Sequence, residues 1–171
     1  MESISAERRA TLIRSVRDLL KVELLDEYGM DRHLLDAWRG GDREYVERSA
    51  REYAEFVEAQ SATGWTFRRV RVVSEPLSEY QRMAVATCGP SVKAGERLRW
   101  LPRREVSATP LPGNDCFVLD GSAVIFNVHD GEHGTIPEIQ YSDDPDIVAF
   151  CRDTVEAAWA RAVPHFDYRP S

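Results

Sequence analysis

Long apolar runs are missing from this chain; the longest cover only a few residues, so no segment reads as a membrane span. Met1 to Ser5 lacks the basic start and apolar core of a signal peptide, and the expected location is the cytoplasm. Cysteine is scarce. Cys88, Cys116 and Cys151 are odd in number, far apart and set in apolar contexts, which predicts three buried thiols rather than a disulfide framework. No CxxC pair or Cys/His cluster is present, and no glycine-rich phosphate loop follows a strand, because Gly40-Gly41 and Gly89 come after helical patterns. The sequence therefore predicts no metal and no cofactor. No helix carries a run of basic residues, which argues against direct binding to nucleic acid.

What is present suits one ordinary core. The chain has 171 residues, 43% of them hydrophobic, and no linker-like stretch divides it, so a single domain over residues 1–171 is expected. The net charge of −7 is unevenly spread. Between Gly64 and Arg104 nine basic residues face three acidic ones, a local excess of six, so the remainder carries −13. One basic face on an otherwise acidic surface is the consequence.

Periodicity divides the chain into a helical N-terminal layer, residues 1–63, and a part from 64 to 171 holding the sheet and a C-terminal helix. Leu12, Ile13, Val16, Leu19, Leu20 and Leu24 recur at three- and four-residue steps, which predicts a helix over Ala6 to Asp26. A short helix around Leu34, Leu35 and Trp38 follows, then one from an Asp42 cap to about Ala62. Trp65–Val73, Arg97–Leu101, Cys116–Leu119, Ala123–His129 and Thr135–Tyr141 read as five strands. Between the first two, Ser74 and Pro76 signal a helix that Gly89-Pro90 ends, and Asp144-Pro145 starts the last helix. The fold class expected is α/β, a mixed sheet of about five strands flanked by helices.

The chemistry-bearing candidates are arginines. If the strands carrying Arg69, Arg71, Arg97 and Arg99 are neighbours, alternation places four guanidinium groups on one face, a surface suited to phosphate or carboxylate. Tyr80, Asp115 and His129 are the polar neighbours expected beside it. The plainer reading is a face on which the arginines pair with carboxylates. His129, Asp130 and His133 form an H-D-x-x-H string, but Gly131 and Gly134 make it a turn rather than a helix, which removes the geometric case for zinc. Asp115 and Asp120 bracket one apolar strand, so turn formation and hydrogen bonds to backbone amides suit them better than paired acid-base work. No catalytic residue is assigned.

Several stretches together resemble an actinobacterial, Streptomyces-type family of uncharacterised proteins: Glu23–Tyr28, Arg69–Tyr80, Ala94–Arg99, Asp115–Asp120 and Ala157–Pro164. Members are often encoded beside helix-turn-helix regulators, so the resemblance implies a regulatory or ligand-sensing role. The chain departs from that family at Cys116, where an aromatic is usual. More loosely, the element order from Gly64 to Pro164 is similar to one half of the phospholipase D superfamily, whose catalytic strand begins H-x-K-x-x-x-x-D. Aligned on Asp120, Gly113 stands in place of the nucleophilic histidine and Asp115 in place of the lysine. Without the imidazole no covalent phosphoryl intermediate can form.

Together these observations predict a non-catalytic ligand-sensing or protein-interaction domain acting with a DNA-binding transcription regulator. A helix-turn-helix regulator and an anionic small molecule are the expected partners, with a homodimer through an edge strand or the N-terminal helices as a further form. A second expectation is a small enzyme of specialised metabolism using His129 or His133 as acid or base.

Overall fold

A computed structural model describes all residues from Met1 to Ser171. Eight strands form one mixed sheet: β1 (Glu2–Ser3), β2 (Asp18–Glu23), β3 (Thr66–Val73), β4 (Arg97–Pro102), β5 (Asp115–Leu119), β6 (Ala123–Val128), β7 (Glu138–Ser142) and β8 (Val163–Pro164). Their order is β1-β7-β6-β5-β2-β3-β4-β8. Only the β2–β3 and β3–β4 pairings are parallel; the other five are antiparallel. The sheet thus has eight strands rather than about five.

The three additional strands have two different origins. β1 and β8 are two-residue edges too short to leave a pattern. β2 is central, and it lies inside the segment expected to be helical. Helix α1 (Ala6–Ser15) starts where Ser5 accepts a hydrogen bond from the Arg8 N–H, and it stops there; Val16 is extended. Leu19, Leu20 and Val22 satisfy a helical stripe and an alternating strand equally well. Pairing decides between them, since a strand here has β3 on one side and β5 on the other, whereas a helix would leave one edge of each open and split the sheet.

Two parallel crossovers place helices on one face of the sheet. Between β2 and β3 run α2 (Arg32–Arg39) and α3 (Arg43–Ser61), the latter capped by Asp42, whose side chain accepts from the Tyr45 N–H. Between β3 and β4 run α4 (Glu79–Thr87) and α5 (Gly89–Lys93). The cap of α4 is Ser78 rather than Ser74, and Gly89-Pro90 opens a second short helix instead of ending the run. The opposite face is covered by α6 (Pro145–Arg161), which begins where Asp144 accepts from the N–H groups of Asp146 and Ile147.

The two faces are packed differently. Under α6 lies one continuous cluster of fifteen buried apolar residues, including Leu20, Val22, Val70, Val72, Val118, Phe126, Val155 and Ala158. On the other face the apolar contacts break into three smaller groups, of nine, six and four buried residues. Between them sit charged side chains. No helix is long and apolar enough to cross a membrane.

The hairpin after β6 is tied down on the same side. Gly29 and Gly134 are in backbone contact, the Gly29 N–H donating to the Gly134 carbonyl at 3.1 Å. A Cβ on residue 29 would lie 1.7 Å from the His133 carbonyl oxygen, so glycine is required there.

Candidate functional site

Strand alternation builds the site. On the face away from α6, β2 presents Leu19, Lys21 and Glu23, β3 presents Phe67, Arg69 and Arg71, and β5 presents Phe117 and Asp115. With Asn127 and His129 from the end of β6, these side chains floor a pocket of about 480 Å³. Its roof comes from α1, α3 and α4 and from the turn after β2, which supply Ile13, Val46, Phe56, Met83 and Tyr28 among others. Met30 and Tyr53 line the pocket and are also solvent-exposed, which marks its rim.

At the floor Glu23 is the hub of a buried ion network. One of its oxygens receives the Lys21 ammonium at 2.5 Å and Arg69 at 3.3 Å, and the other lies 2.7 Å from Arg71 Nε. Arg69 also meets Glu96 at 2.5 Å, and Glu96 is buried just before β4. Burial alone would push the Glu23 carboxyl up, but Arg71, Lys21 and Arg69 together outweigh it and hold the group well below the usual carboxylate range. Both arginines are held charged in the same way. Burial works against each, and Glu96 and Glu23 for Arg69, or Glu23 for Arg71, more than reverse it.

A second polar group stands beside the first. Asp115 is directly opposite Glu23 across β2 and β5, one residue beyond the Val22–Cys116 pair. Its carboxylate accepts from the Leu24 N–H and from the Tyr28 hydroxyl, both at 2.7 Å. Burial, then the neighbouring Glu23 and Asp115 charges, push the Tyr28 hydroxyl far above its ordinary range and keep it a donor. His129 Nε2 lies 3.5 Å from Asp115 Oδ2 without a hydrogen bond. Both ring nitrogens are buried and unpartnered. Tyr80 lines the wall and donates its hydroxyl to Asp31 at 2.6 Å.

Five of the seven residues singled out from the sequence meet in this pocket: Arg69, Arg71, Tyr80, Asp115 and His129. Arg97 and Arg99 do not. β3 and β4 are neighbours, the condition on which the four-arginine face rested, but the register pairs Arg69 with Leu98 and Arg71 with Trp100, so Arg97 and Arg99 point to the α6 side. Arg99 there donates to the Trp159 carbonyl and stacks over its indole at 4.4 Å. The four-arginine face is corrected to a two-arginine one, and both of its members are paired with carboxylates. His133 is exposed at the hairpin tip, where Asp130 accepts from the N–H groups of Glu132, His133 and Thr135.

Lys21, Glu23, Glu96 and Tyr28 were missed. The signal for the first two was the alternation of charged and apolar residues in Leu20-Lys21-Val22-Glu23, hidden by the competing helical stripe. No three His, Cys, Asp or Glu side chains come close enough to hold a metal ion. Cys88 lines the pocket with a thiol that burial pushes up, so it is a poor nucleophile.

With this geometry established, comparison with known proteins is informative about the fold. A phospholipase D family member, Nuc from Salmonella typhimurium, is 13% identical, and the match covers 96% of this chain and 94% of that one with a TM-score of 0.54. That likeness concerns the fold alone. No curated protein matches the chain. Residues 7–170 match the family described as Domain of unknown function (DUF6879), and with nearly its whole length matched the chain belongs to that family.

Proposed function

We propose that this domain is a non-catalytic receptor for a small molecule, held between the sheet and helices α3 and α4, and that it reports occupancy to a DNA-binding regulator. The observation that carries this is the pocket of about 480 Å³, whose volume lies in the range of drug-sized ligand sites and whose wall is largely apolar over a polar floor. A site of this kind is costly to leave unfilled by side chains in a domain of this size, and the opposite face shows that the same strands can be packed solid. The helix-turn-helix partner follows from the family resemblance. It would carry the DNA contact that a chain of net charge −7 is poorly suited to make.

A second reading, an enzyme with His129 as acid or base, draws support from the burial of that imidazole beside Asp115. The receptor is preferred because Asp115 is already engaged by Leu24 and Tyr28 and does not orient the ring, whereas a general base is ordinarily held by such a partner. Phosphodiester chemistry of the phospholipase D kind is not proposed, since Gly113 and Asp115 occupy the positions of its histidine and lysine.

The test is a thermal-shift screen of the purified chain with neutral and anionic aromatic molecules, repeated with Ala50→Phe. Ala50 lines the pocket from α3, so a phenyl group there fills space a ligand would use while every member of the ion network keeps its own side chain. A ligand at a hundred times its Kd stabilises the folded state by about 2.7 kcal/mol. The expected result is a rise in Tm for the wild type that Ala50→Phe removes. A rise that the variant leaves unchanged would place binding elsewhere.

A further inference from the structure

The charge balance of this pocket and its unpartnered histidine narrow its ligand class, on the premise that the receptor reading is right. Six charged groups surround the floor, five of them buried and Lys21 half-buried. Lys21, Arg69 and Arg71 are the cations, and Glu23, Glu96 and Asp115 the carboxylates. They cancel. Each arginine already faces a carboxylate, so an incoming anion would compete with Glu23 and Glu96, and an incoming cation with Arg69, Arg71 and Lys21. The lining holds one cation without a carboxylate, the half-buried Arg9, which donates only to Asn127 Oδ1 at 2.9 Å. Within the ion network itself, an incoming unmatched charge is desolvated with no counter-charge free to receive it.

Of the side chains with unpartnered buried polar atoms, His129 alone stands outside the ion network. The His129 side chain is 9% exposed, lines the pocket, and has no hydrogen-bond partner at either ring nitrogen. A buried imidazole left in that state is costly, and a ligand group that donates to or accepts from it removes the cost. Beyond it the wall is aromatic. Phe56 and Trp65 meet edge-to-face at 6.2 Å, Trp65 and Phe67 lie 5.1 Å apart, and Phe117 continues the surface. Such a wall favours a flat ring system through offset and edge contacts.

We propose that the pocket takes an uncharged aromatic molecule bearing one hydrogen-bonding group, such as a phenolic hydroxyl, which His129 recognises. The anionic ligand expected from the arginine pattern is thereby replaced, because those arginines are charge-matched within the protein itself.

Isothermal titration with 2-naphthol, 2-naphthoate and inorganic phosphate at pH 7 tests this on the intact chain. The expected result is binding of 2-naphthol at least tenfold tighter than of 2-naphthoate, and no binding of phosphate. His129→Phe keeps the ring and removes its nitrogens, and it should weaken 2-naphthol about tenfold, the worth of one hydrogen bond. Should that variant not fold, the naphthol and naphthoate affinities of the wild type still decide the ligand class. Naphthoate or phosphate binding as tightly as naphthol, and lost in Ala50→Phe, would overturn the inference while leaving a receptor. Naphthol binding unchanged by His129→Phe would overturn the role of His129. Failure of all three probes to bind would count against the inference and the receptor reading together.

Discussion

The two faces of this sheet are made by the same strands and differ in almost everything else. Toward α6, residues such as Leu20, Val22, Val70, Val72 and Val118 form one unbroken apolar cluster. Toward α3 and α4, the alternate residues Lys21, Glu23, Arg69 and Arg71 form an ion network beside a pocket, and the apolar contacts divide into three groups around it. Buried ion networks are seldom the most stabilising way to fill a core. Their presence on one face only, where space is also left unfilled, separates a face that holds the fold together from a face available for function.

Substitutions should separate the faces, and Glu23→Gln should have the largest effect. It leaves Lys21, Arg69 and Arg71 with one charged carboxylate, that of Glu96, among them, and the expected loss is about 3–5 kcal/mol in urea unfolding at pH 7. Acid should act on the same group. Because the folded-state value of Glu23 lies below its ordinary one, its contribution is present above the ordinary carboxylate range and is lost as pH falls from about 5 toward the folded value. The wild type should therefore lose stability below about pH 5, with a shallower slope in Glu23→Gln. A parallel slope in both proteins would show that other carboxylates dominate.

On the α6 face, Leu20→Ala removes a side chain that is 2% exposed and should cost about 2–5 kcal/mol, with the pH slope of the wild type preserved and ligand binding intact. A pH slope altered by this change would mean that the faces are coupled. Asp144→Ala deletes the cap of α6, whose two N–H partners are those of Asp146 and Ile147. It should cost about 1 kcal/mol by thermal melting and leave the pocket unaffected. The smallest stability change belongs to Ala50→Phe, within about 1 kcal/mol because it fills open space, although it should abolish binding.

How far this contrast was readable from the sequence can be traced residue by residue. Val70 and Val72 alternating with Arg69 and Arg71 announced a two-faced strand, and the structure has it. Asp42 and Asp144 announced helix starts through their own side chains, a local signal that tertiary contacts did not override. β2 was not legible, because two periods fit Leu19-Leu20-Lys21-Val22 and only long-range pairing selects one. The same kind of information was missing for Arg97 and Arg99. Their alternation was visible, but the register against β3 is set by the whole sheet, and a shift of one residue moves both arginines to the other face. His129 and Asp115 were visible as residues but not put together, although the hairpin at Asp120-Gly121 pairs Asp115 with Asn127 and so sets His129 two residues further along the same face.

The affinity of 2-naphthol for the wild type and for Ala50→Phe, measured side by side by titration calorimetry, bears most directly on the claim that the charged face holds a ligand pocket. Saturable one-to-one binding to the wild type and none to Ala50→Phe is the expected result, with the two proteins equally stable to within about 1 kcal/mol. Equal binding by both proteins, or by neither, would contradict it.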